Sequence, residues 1–313
     1  MNRFFIYRQR FDSVDQEIRM RFLVGTIGKI QSVFAVYDDT ATNLTSALPE
    51  IGQDLSALAA SDELRKKAAE IHSKDIHTLG DIVPALPIGT PGKFICLGLN
   101  YVEHIKEGGY DIPDYPALFM RGNNSLMAAG APMVRPSCSN MLDYEAELLL
   151  IIGKRGRHIP KADALNHVFG YTVFNDGSVR DYQRKTHQWT PGKNFDSTGA
   201  IGPFVVTPDE LPEGAKDLNI ESRVGDEILQ SSNTSNMIWD VARTIAIISE
   251  YSTLEPGDHI AMGTPPGVGH AKKPEPRWLR PGETVDIEIE SIGICSSPIV
   301  SESSIASKVA NER

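Results

Sequence analysis

The sequence predicts a mainly β protein of the α+β class. From about residue 93 onward, short apolar segments alternate with turns that contain glycine and proline, a pattern typical of strands in a β domain. Convincing helical patterns are few in this part of the chain, and they do not alternate with the strands as they do in parallel βαβ units. A doubly wound nucleotide-binding sheet is therefore not expected. The length of 313 residues is enough for one large domain and a small one.

Residues 1–80 predict a small N-terminal α+β module. Residues 21–39, RFLVGTIGKIQSVFAVYDD, have the pattern of two strands joined by a turn that contains glycine. Residues 56–74 have a helical pattern in which Ser61 or Asp62 can cap the first turn. The apolar side chains that share one face of this helix are Leu64, Ala68 and Ile71. The module carries no recognisable chemistry, so we expect it to serve as a lid, a brace or a dimer contact.

Residues 90–303 predict a larger second domain, and the prolines and glycines of PALPIGTPGK at 84–93 mark the boundary before it. Helices are expected at residues 101–109 and 237–251. The segment ELLLIIG at 147–153 lacks polar–apolar alternation, which indicates a strand that is covered on both faces. The expected strands of this domain lie at residues 93–101, 147–153, 168–176, 200–206, 218–225, 258–263 and 284–294.

The composition argues against several classes of partner. The net charge is -10 and there is no basic run, which argues against binding to nucleic acid or to an anionic membrane surface. No apolar stretch of about 18 residues is present, so no membrane span is expected. Cys96, Cys138 and Cys295 lie far apart and indicate buried thiols in a reducing compartment. The segment MNRFFIYRQRFD lacks the pattern of a signal peptide, and we expect a cytoplasmic protein.

Two glutamates at the start of an apolar strand are the first candidates for a functional site. Glu145 and Glu147 are two positions apart, and in a strand such side chains point to the same face. They stand beside the apolar run LLLII, where an unpaired charge is costly. Asp176 ends another predicted strand and can supply a third carboxylate. Three such oxygen ligands suit a hard divalent cation.

The same chain contains a similar acid pair that we interpret as solvated surface. Glu288 and Glu290 have the same spacing, but they alternate with Val285, Ile287 and Ile289 in the pattern of a half-buried strand. Spacing alone therefore does not establish a metal site at the first pair.

His104 and Glu107 are three residues apart in a predicted helix, so their side chains can share a face and form a hydrogen bond. A carboxylate that orients an imidazole makes it a better general base, for example toward water. The alternative is an exposed pair of polar side chains, because Lys106 lies beside them.

Arg180 and Lys193 are candidates for contact with an anionic group. Arg180 follows Asp176 closely, and its guanidinium can either contact a substrate or neutralise the acid cluster through a paired hydrogen bond to a carboxylate. Lys193 lies beside glycine in a polar turn, where it either holds an anionic group or is solvated. The loop GTPPGVG at 263–269 carries Thr264, but it lacks the Gly-Lys-Ser/Thr ending of a phosphate-binding loop.

Taken in order, these motifs resemble those of the fumarylacetoacetate hydrolase family over roughly residues 90–300. The motifs are His-x-x-Glu after Gly-x-Asn-Tyr, Asp-Tyr-Glu-x-Glu, Asn-Asp-x-Ser-x-Arg-Asp-x-Gln, Gly-Lys-x-Phe-Asp and Gly-Thr-Pro-x-Gly-Val. The resemblance implies a mixed β-sandwich roll, a homodimer, and a small anionic keto acid as substrate. It also implies a Mg²⁺ or Mn²⁺ cofactor, with Ca²⁺ as a further candidate.

The resemblance also assigns roles to individual residues. It implies that the metal is bound by Glu145, Glu147 and Asp176. The residues for which it implies catalytic roles are His104, Glu107 and Lys193.

One position departs from the pattern of some members of the family. Those members have an arginine before Asn-Tyr that binds the carboxylate of the substrate, whereas this chain has Leu99. Another group must then bind that carboxylate. The candidate substrate-binding residues are Arg121, Arg180, Gln183 and Thr264.

The family acts on 2-keto and 2,4-diketo acids, and the expected activity is hydrolysis of a carbon–carbon bond in a 2,4-diketo acid of the acylpyruvate or fumarylacetoacetate type. A metal-stabilised enolate equally serves the decarboxylation, tautomerisation, isomerisation or hydration of a 2-keto acid such as oxaloacetate or a product of aromatic meta-cleavage. A third interpretation is a catalytically silent binding protein on the same fold. All the residues needed for chemistry are present, which disfavours the third interpretation.

Overall fold

The computed structural model describes residues 20–109 and 111–304. Residues 1–19, which belong to the predicted N-terminal module, lie outside this part of the chain. The described strands are β1 Arg21–Ile27, β2 Ile30–Tyr37, β3 Thr40–Asn43, β4 Ile76–Thr78, β5 Val83–Pro84, β6 Phe94–Gly98, β7 Ala117–Met120, β8 Leu126–Ala128, β9 Met133–Arg135, β10 Leu142–Asp143, β11 Ala146–Ile152, β12 Val168–Asp176, β13 Ser178–Val179, β14 Gly199–Ile201, β15 Phe204–Val206, β16 Asn219–Val224, β17 Glu227–Asn233, β18 His259–Ala261, β19 Thr284–Ile289 and β20 Gly293–Ser301.

The described α-helices are short, and the longest of them, at Val241–Tyr251, has about three turns. The α-helices are α1 Leu44–Ala47, α2 Ser56–Ala60, α3 Asp62–Ala69, α4 Val102–Gly108, α5 Arg180–Gln183, α6 Thr190–Lys193 and α7 Val241–Tyr251. Single 3-10 segments lie at Pro49–Ile51, Leu79–Asp81, Asn123–Ser125, Lys161–His167, Pro208–Glu210, Glu213–Ala215, Thr234–Asn236 and Gly269–Ala271. Within the described ranges, no helix has the length and apolar character needed to cross a membrane.

The strands of the described residues form three sheets, which confirms the mainly β prediction. A 13-stranded sheet has the main order β4-β3-β2-β1-β15-β12-β11-β18-β6-β7, with β5 beside β1, β14 beside β12, and β8 beside β14. A five-stranded sheet has the order β17-β16-β19-β20-β9, and β10 pairs with β13. One apolar core contains side chains from both large sheets, including Leu150 of β11 and Ile287 of β19.

The N-terminal strands join the large sheet at β15. Strand β1 pairs antiparallel with β2, β5 and β15, and its contact with β15 begins at Arg21 opposite Val206. Helices α2 and α3 cover this part of the sheet through an apolar cluster that includes Phe22 and Leu58. The division into domains at 1–80 and 90–303 stays a prediction.

The predicted helix at 56–74 is two helices that meet at Ser61. The Ser61 side chain accepts a hydrogen bond from Leu64 N at 3.1 Å and caps α3, which is one of the two caps that the sequence offered. A single helix was the wrong expectation here, because Ser61 has extended backbone angles at this cap. Leu64 and Ala68 are buried as predicted, and Ile71 is half-buried just beyond the end of α3.

The strand pair β11–β12 forms the centre of the molecule and positions the candidate site. All seven residues of β11 are buried, which confirms that this strand is covered on both faces. The register places Ala146 opposite Asn175, so the start of β11 lies beside the end of β12. This antiparallel pairing brings Glu145 and Glu147 next to Asp176, although some 30 residues separate them in sequence.

Two expected strands are each divided in the structure. The segment 200–206 is split at Gly202 and Pro203 between β14 and β15, because proline has no N–H to donate to a neighbouring strand. The segment 284–294 turns between β19 and β20. A further correction concerns Cys138, which is exposed, whereas Cys96 and Cys295 are buried as expected.

The second acid pair, Glu288 and Glu290, lies at a half-exposed strand, as the sequence indicates. Val285, Ile287 and Ile289 of β19 are buried, whereas Glu288 is partly exposed and Glu290 is exposed. Glu288 forms an ion pair with Arg223 of the neighbouring strand. Its charge is therefore balanced at the surface.

Candidate active site

Three buried carboxylates, which we call the acid triad, meet where β11 begins and β12 ends. The triad consists of Glu145, Glu147 and Asp176, and one carboxylate oxygen of each lies within 4.8 Å of the other two. At most 5 % of any of these residues is exposed. Backbone contacts hold the two strand ends together, since Asp176 N donates to Glu145 O at 3.0 Å. The sequence therefore identified the three members of this cluster.

Lys193 lies inside the acid triad. It ends the short helix α6, and its Nζ donates to Glu145 Oε2 at 2.7 Å and to Asp176 Oδ2 at 2.6 Å. Burial opposes the ammonium charge, but Asp176 and Glu145 outweigh it and raise the pKa of Lys193. Lys193 is therefore charged and buried, and it is not the solvated side chain that the sequence left open.

The two glutamates of the triad have opposite electrostatic environments. Burial opposes the charge of Glu145, but Lys193, Arg180 and, more weakly, His104 hold the pKa of this carboxyl below its usual range. Burial and the charges of Asp176 and Glu145 raise the pKa of Glu147 well above its usual range.

Two buried arginines contact the acid triad through the carboxylate oxygens that Lys193 does not use. Arg121 Nη1 donates to Asp176 Oδ1, and Arg180 Nη2 lies 2.7 Å from Glu145 Oε1. The contact of Arg180 is the neutralising role that the sequence offered as one of two alternatives. These contacts restrict both carboxylates to fixed orientations.

The remaining donors of the two guanidinium groups bind other protein atoms. Arg180 Nε donates to Asp143 Oδ2 at 2.7 Å, and its Nη1 donates to Gln183 Oε1 at 2.8 Å. Arg121 Nη2 donates to Thr198 Oγ1 at 2.8 Å. Arg121, Arg180 and Gln183 are thus brought to the acid triad, and their contact with a substrate stays a prediction.

His104 and Glu107 form the predicted pair on α4. His104 Nδ1 lies 3.2 Å from Glu107 Oε2, and both side chains are partly shielded from solvent. The Glu107 carboxylate also accepts a hydrogen bond from Gly267 N at 3.0 Å. A carboxylate can only accept, so we place the imidazole proton on Nδ1 and the free lone pair on Nε2.

The loop at 263–269 binds carboxylates of the protein through its backbone amides. Gly263 N donates to Glu147 Oε2 at 2.9 Å, Gly267 N donates to Glu107, and Gly269 N donates to Asp143 Oδ1 at 2.7 Å. The loop therefore links a member of the acid triad to the residue that orients His104.

The structure adds residues that the sequence did not predict as part of the site. Asp143 is fully buried and binds both Arg180 and the loop at 263–269. Its position in the Asp-Tyr-Glu-x-Glu motif could have identified Asp143 as a site residue from the sequence.

Gln230 lies on a different sheet and forms a hydrogen bond of 2.8 Å to Thr264. Thr264 is buried. Nothing in the sequence near Gln230 indicates this contact.

The acid triad fits a divalent cation by the chemistry of its donors. All three groups are carboxylates, which are the ligands that hard cations prefer. Among the described residues, Glu147 has a backbone hydrogen bond from Gly263 but no ion pair, so a cation at this position would balance a buried charge. The residues that would hold the metal are therefore Glu145, Glu147 and Asp176.

A comparison with protein families agrees with this arrangement. The family model described as "Fumarylacetoacetate (FAA) hydrolase C-terminal" matches residues 93–300, which is about two thirds of the chain. The chain belongs to the fumarylacetoacetate hydrolase family. The match covers the acid triad, Lys193 and the His104–Glu107 pair.

Individual members of the fumarylacetoacetate hydrolase family are also similar to this chain. The oxaloacetate tautomerase fahd2, mitochondrial, of Xenopus laevis is 40% identical over 236 residues, which cover 75% of this chain and 73% of that protein. The solved structure of the fumarylacetoacetate hydrolase of Exiguobacterium antarcticum has a TM-score of 0.78 and 32% identity, covering 90% of this chain and 100% of that one. The solved structure of the 2-hydroxyhepta-2,4-diene-1,7-dioate isomerase of Mycobacterium marinum has a TM-score of 0.71 and 28% identity. The match covers 91% of this chain and 99% of that one.

Proposed function

We propose that this protein is a divalent-metal-dependent tautomerase or isomerase of 2-keto acids, with oxaloacetate as the first substrate to test. The observation that carries the proposal is the meeting of the acid triad, Lys193 and an oriented histidine around one loop. The similarity to an oxaloacetate tautomerase supports this reaction over the carbon–carbon hydrolysis that the sequence first suggested.

His104 is the proposed general base. Its Nε2 would take a proton from the carbon next to the keto group, and Glu107 would stabilise the imidazolium through Nδ1–H. The enolate oxygen would then take a proton from solvent to complete the enol, and His104 would release its own proton to solvent. In the reverse direction the enol oxygen would lose its proton to solvent and the imidazolium would give a proton to the carbon. The pair thereby interconverts keto and enol forms without a covalent intermediate.

Lys193 is the proposed stabiliser of the developing enolate oxygen. Two of its N–H groups bind Glu145 and Asp176, and a third donor is available to a substrate oxygen. When bound by the acid triad, Mg²⁺ or Mn²⁺ supplies Lewis-acid polarisation of the keto oxygen and carboxylate, with Ca²⁺ as a further candidate. The buried setting strengthens both electrostatic contributions.

Hydrolysis of a 2,4-diketo acid is the second candidate function, because the orientation of His104 by Glu107 also suits this reaction. A histidine that is oriented by a carboxylate can deprotonate water as well as a carbon acid. The likeness to a fumarylacetoacetate hydrolase structure supports this candidate. The two functions differ in whether water enters the product.

The proposal is tested by following the loss of enol absorbance of oxaloacetate with the metal-depleted protein and after addition of Mg²⁺ or Mn²⁺. We expect the metal-loaded protein to exceed the buffer rate by at least ~10²-fold, the range of general base catalysis. Product analysis with an acylpyruvate separates the second candidate, since pyruvate release shows hydrolysis. Rates equal to buffer for both substrates would reject both functions.

Three further expectations accompany the proposed function. A homodimer follows from the family, and a small anionic keto acid is the expected partner of the site. A cytoplasmic location stays a prediction, and the related tautomerase of Xenopus laevis is named as mitochondrial.

A further inference from the structure

We propose that Gln230 is a positioning residue that fixes the start of β11 to the loop at 263–269, so that the metal ligands and the base are assembled as one unit. The inference deepens the proposed function, because it rests on the acid triad being a metal site. Gln230 lies on β17 of the five-stranded sheet, outside every motif of the sequence.

The amide of Gln230 bridges the two large sheets. Its Oε1 accepts from Ala146 N at 3.0 Å and from Ser222 Oγ at 2.9 Å. Its Nε2 donates to Thr264 Oγ1 and to Pro265 O, both at 2.8 Å. The side chain is 1% exposed, so both acceptor positions and both donors of the amide are satisfied inside the protein.

Each end of this bridge reaches a functional group within one or two residues. Ala146 separates Glu145 from Glu147, so the bond to its N–H restrains the backbone that carries both ligands. On the other side, Thr264 and Pro265 follow Gly263, whose N–H donates to Glu147.

The same loop also holds the base. Gly267 lies two residues beyond Pro265, and its N–H donates to the Glu107 carboxylate that orients His104. A shift of the loop would therefore disturb the contact with Glu147 and the contact with Glu107 together. Gln230 therefore ties this loop to the ligand strand in addition to the bond between Gly263 N and Glu147.

Buried hydrogen-bond networks of this type act as a whole. Loss of the Gln230 amide would leave an N–H, two hydroxyl groups and a carbonyl in a dry environment without their partner. The surrounding backbone would have to move to satisfy them, and on one side of the bridge that backbone is the loop at 263–269. Residues that orient metal ligands in this indirect way typically change metal affinity by about 10- to 100-fold.

The test measures Mn²⁺ affinity by electron paramagnetic resonance without substrate, and kcat and KM for oxaloacetate at saturating Mn²⁺. Gln230→Met removes all four hydrogen bonds at similar side-chain length. Gln230→Glu keeps an oxygen for Ala146 and Ser222 but removes the NH₂ group that reaches the loop, and it decides the test if Gln230→Met does not fold. Ser222→Ala is the matched control, because it removes one bond to Gln230 and leaves the bridge intact.

We expect both Gln230 variants to bind Mn²⁺ about 10- to 100-fold more weakly, with a fall in kcat that exceeds any change in KM. Ser222→Ala should change these quantities much less than either Gln230 variant, because Gln230 keeps its bonds to Ala146, Thr264 and Pro265. Folded Gln230 variants with wild-type Mn²⁺ affinity and kcat would overturn the inference and leave Gln230 with a purely structural role. Absence of Mn²⁺ binding in the wild type would instead overturn the metal site, and this inference with it.

Discussion

Of the three carboxylates in the acid triad, Glu147 is the one whose charge the described residues stabilise least. Lys193 and Arg180 balance Glu145, and Lys193 and Arg121 balance Asp176. Within residues 20–109 and 111–304, the hydrogen bond to Glu147 comes from the N–H of Gly263 and no ion pair is formed, and burial with two neighbouring acids raises the pKa of this carboxyl. The position that most needs a cation is therefore the one that the arginines and the lysine leave unpaired.

Replacing Glu147 by Gln should abolish most metal binding while keeping the fold. The amide retains the shape of the side chain but loses the charge that a divalent cation requires. Titration with Mn²⁺ should show affinity reduced by about 100-fold or more, the scale at which even indirect ligand contacts act. Glu288→Gln is the matched control, because the same change at the half-exposed acid pair should leave Mn²⁺ affinity at the wild-type value.

His104→Ala should separate chemistry from metal binding. His104 is not a member of the acid triad, so Mn²⁺ affinity should change little. Loss of the general base should lower kcat for oxaloacetate tautomerisation by about 10²- to 10⁴-fold. Turnover near the wild-type rate would remove His104 from the proposed mechanism.

His259, which lies opposite Ile151 on the strand beside β11, should make the stability of the protein sensitive to acid. Burial lowers the pKa of His259 to about 4, against the opposing hydrogen bond to the carbonyl of Gly257. The unfolded chain binds this proton from about pH 6.5 downward, whereas the folded chain does not until about pH 4. The contribution of His259 to the free energy of unfolding is therefore complete above about pH 6.5, and it falls as the pH is lowered toward 4.

His259→Leu should accordingly flatten the acid limb of the stability curve. The wild type should lose on the order of 3 kcal/mol through this group between pH 6.5 and 4, and the variant should not. Chemical denaturation at a series of pH values measures this difference. His72→Leu, at an exposed position, should follow the wild-type slope, and a parallel slope for His259→Leu would contradict the assignment.

At the scale of single elements, the loop at 263–269 depends on its glycines. Gly267 has φ of 102°, and a Cβ at this position would lie 2.4 Å from the carbonyl oxygen of Leu229. An L-residue is thus excluded both by the backbone conformation and by space. The glycine pattern that resembles a phosphate loop serves here to bring amides close to the carboxylates of the protein.

Gly267→Ala should displace the loop and detach it from Glu107. We expect kcat to fall by about 10-fold or more, because the orientation of His104 relaxes, and Mn²⁺ affinity to fall as well, because Gly263 of the same loop binds Glu147. Gly282→Ala is the control, since Gly282 has a similar φ of 94° but no atom within 4 Å of the added Cβ. Equal effects of both substitutions would show that backbone strain, and not loss of the Glu107 contact, is the cause.

At the scale of the whole molecule, metal binding should be linked to both stability and pH. A cation that binds the folded chain alone raises the unfolding temperature by mass action. The raised pKa of Glu147 means that the metal-free folded chain binds a proton that the unfolded chain has released. The stability of the metal-free protein through this group therefore falls as the pH rises above the ordinary glutamate range.

Mn²⁺ should reverse this loss of stability at rising pH. Because the metal must displace the proton from Glu147, its affinity should rise by up to about tenfold per pH unit until the pH passes the pKa of this carboxyl. The shift in unfolding temperature between chelator and Mn²⁺ should thus grow as the pH rises above the ordinary glutamate range. Thermal unfolding of wild type and Glu147→Gln measures it, and a pH-dependent shift that persists in Glu147→Gln would contradict the linkage.

The sequence by itself determined the mainly β class and the members of the acid triad. Local pattern suffices where one strand carries its own signal, as in the unbroken apolar run of β11 and the alternation of β19. The motif order added the His104–Glu107 pair and Lys193. These features are encoded within short segments, so reading along the chain recovers them.

Only the tertiary structure decided how the charges of the site are shared. Arg121 binds Asp176 across 55 positions, and Gln230 binds Ala146 across 84 positions. Neither contact leaves a local pattern, because hydrogen bonds between residues that are distant in sequence depend on which strands meet and in which register. The pairing of β1 with β15 was decided in the same way, by packing and not by propensity.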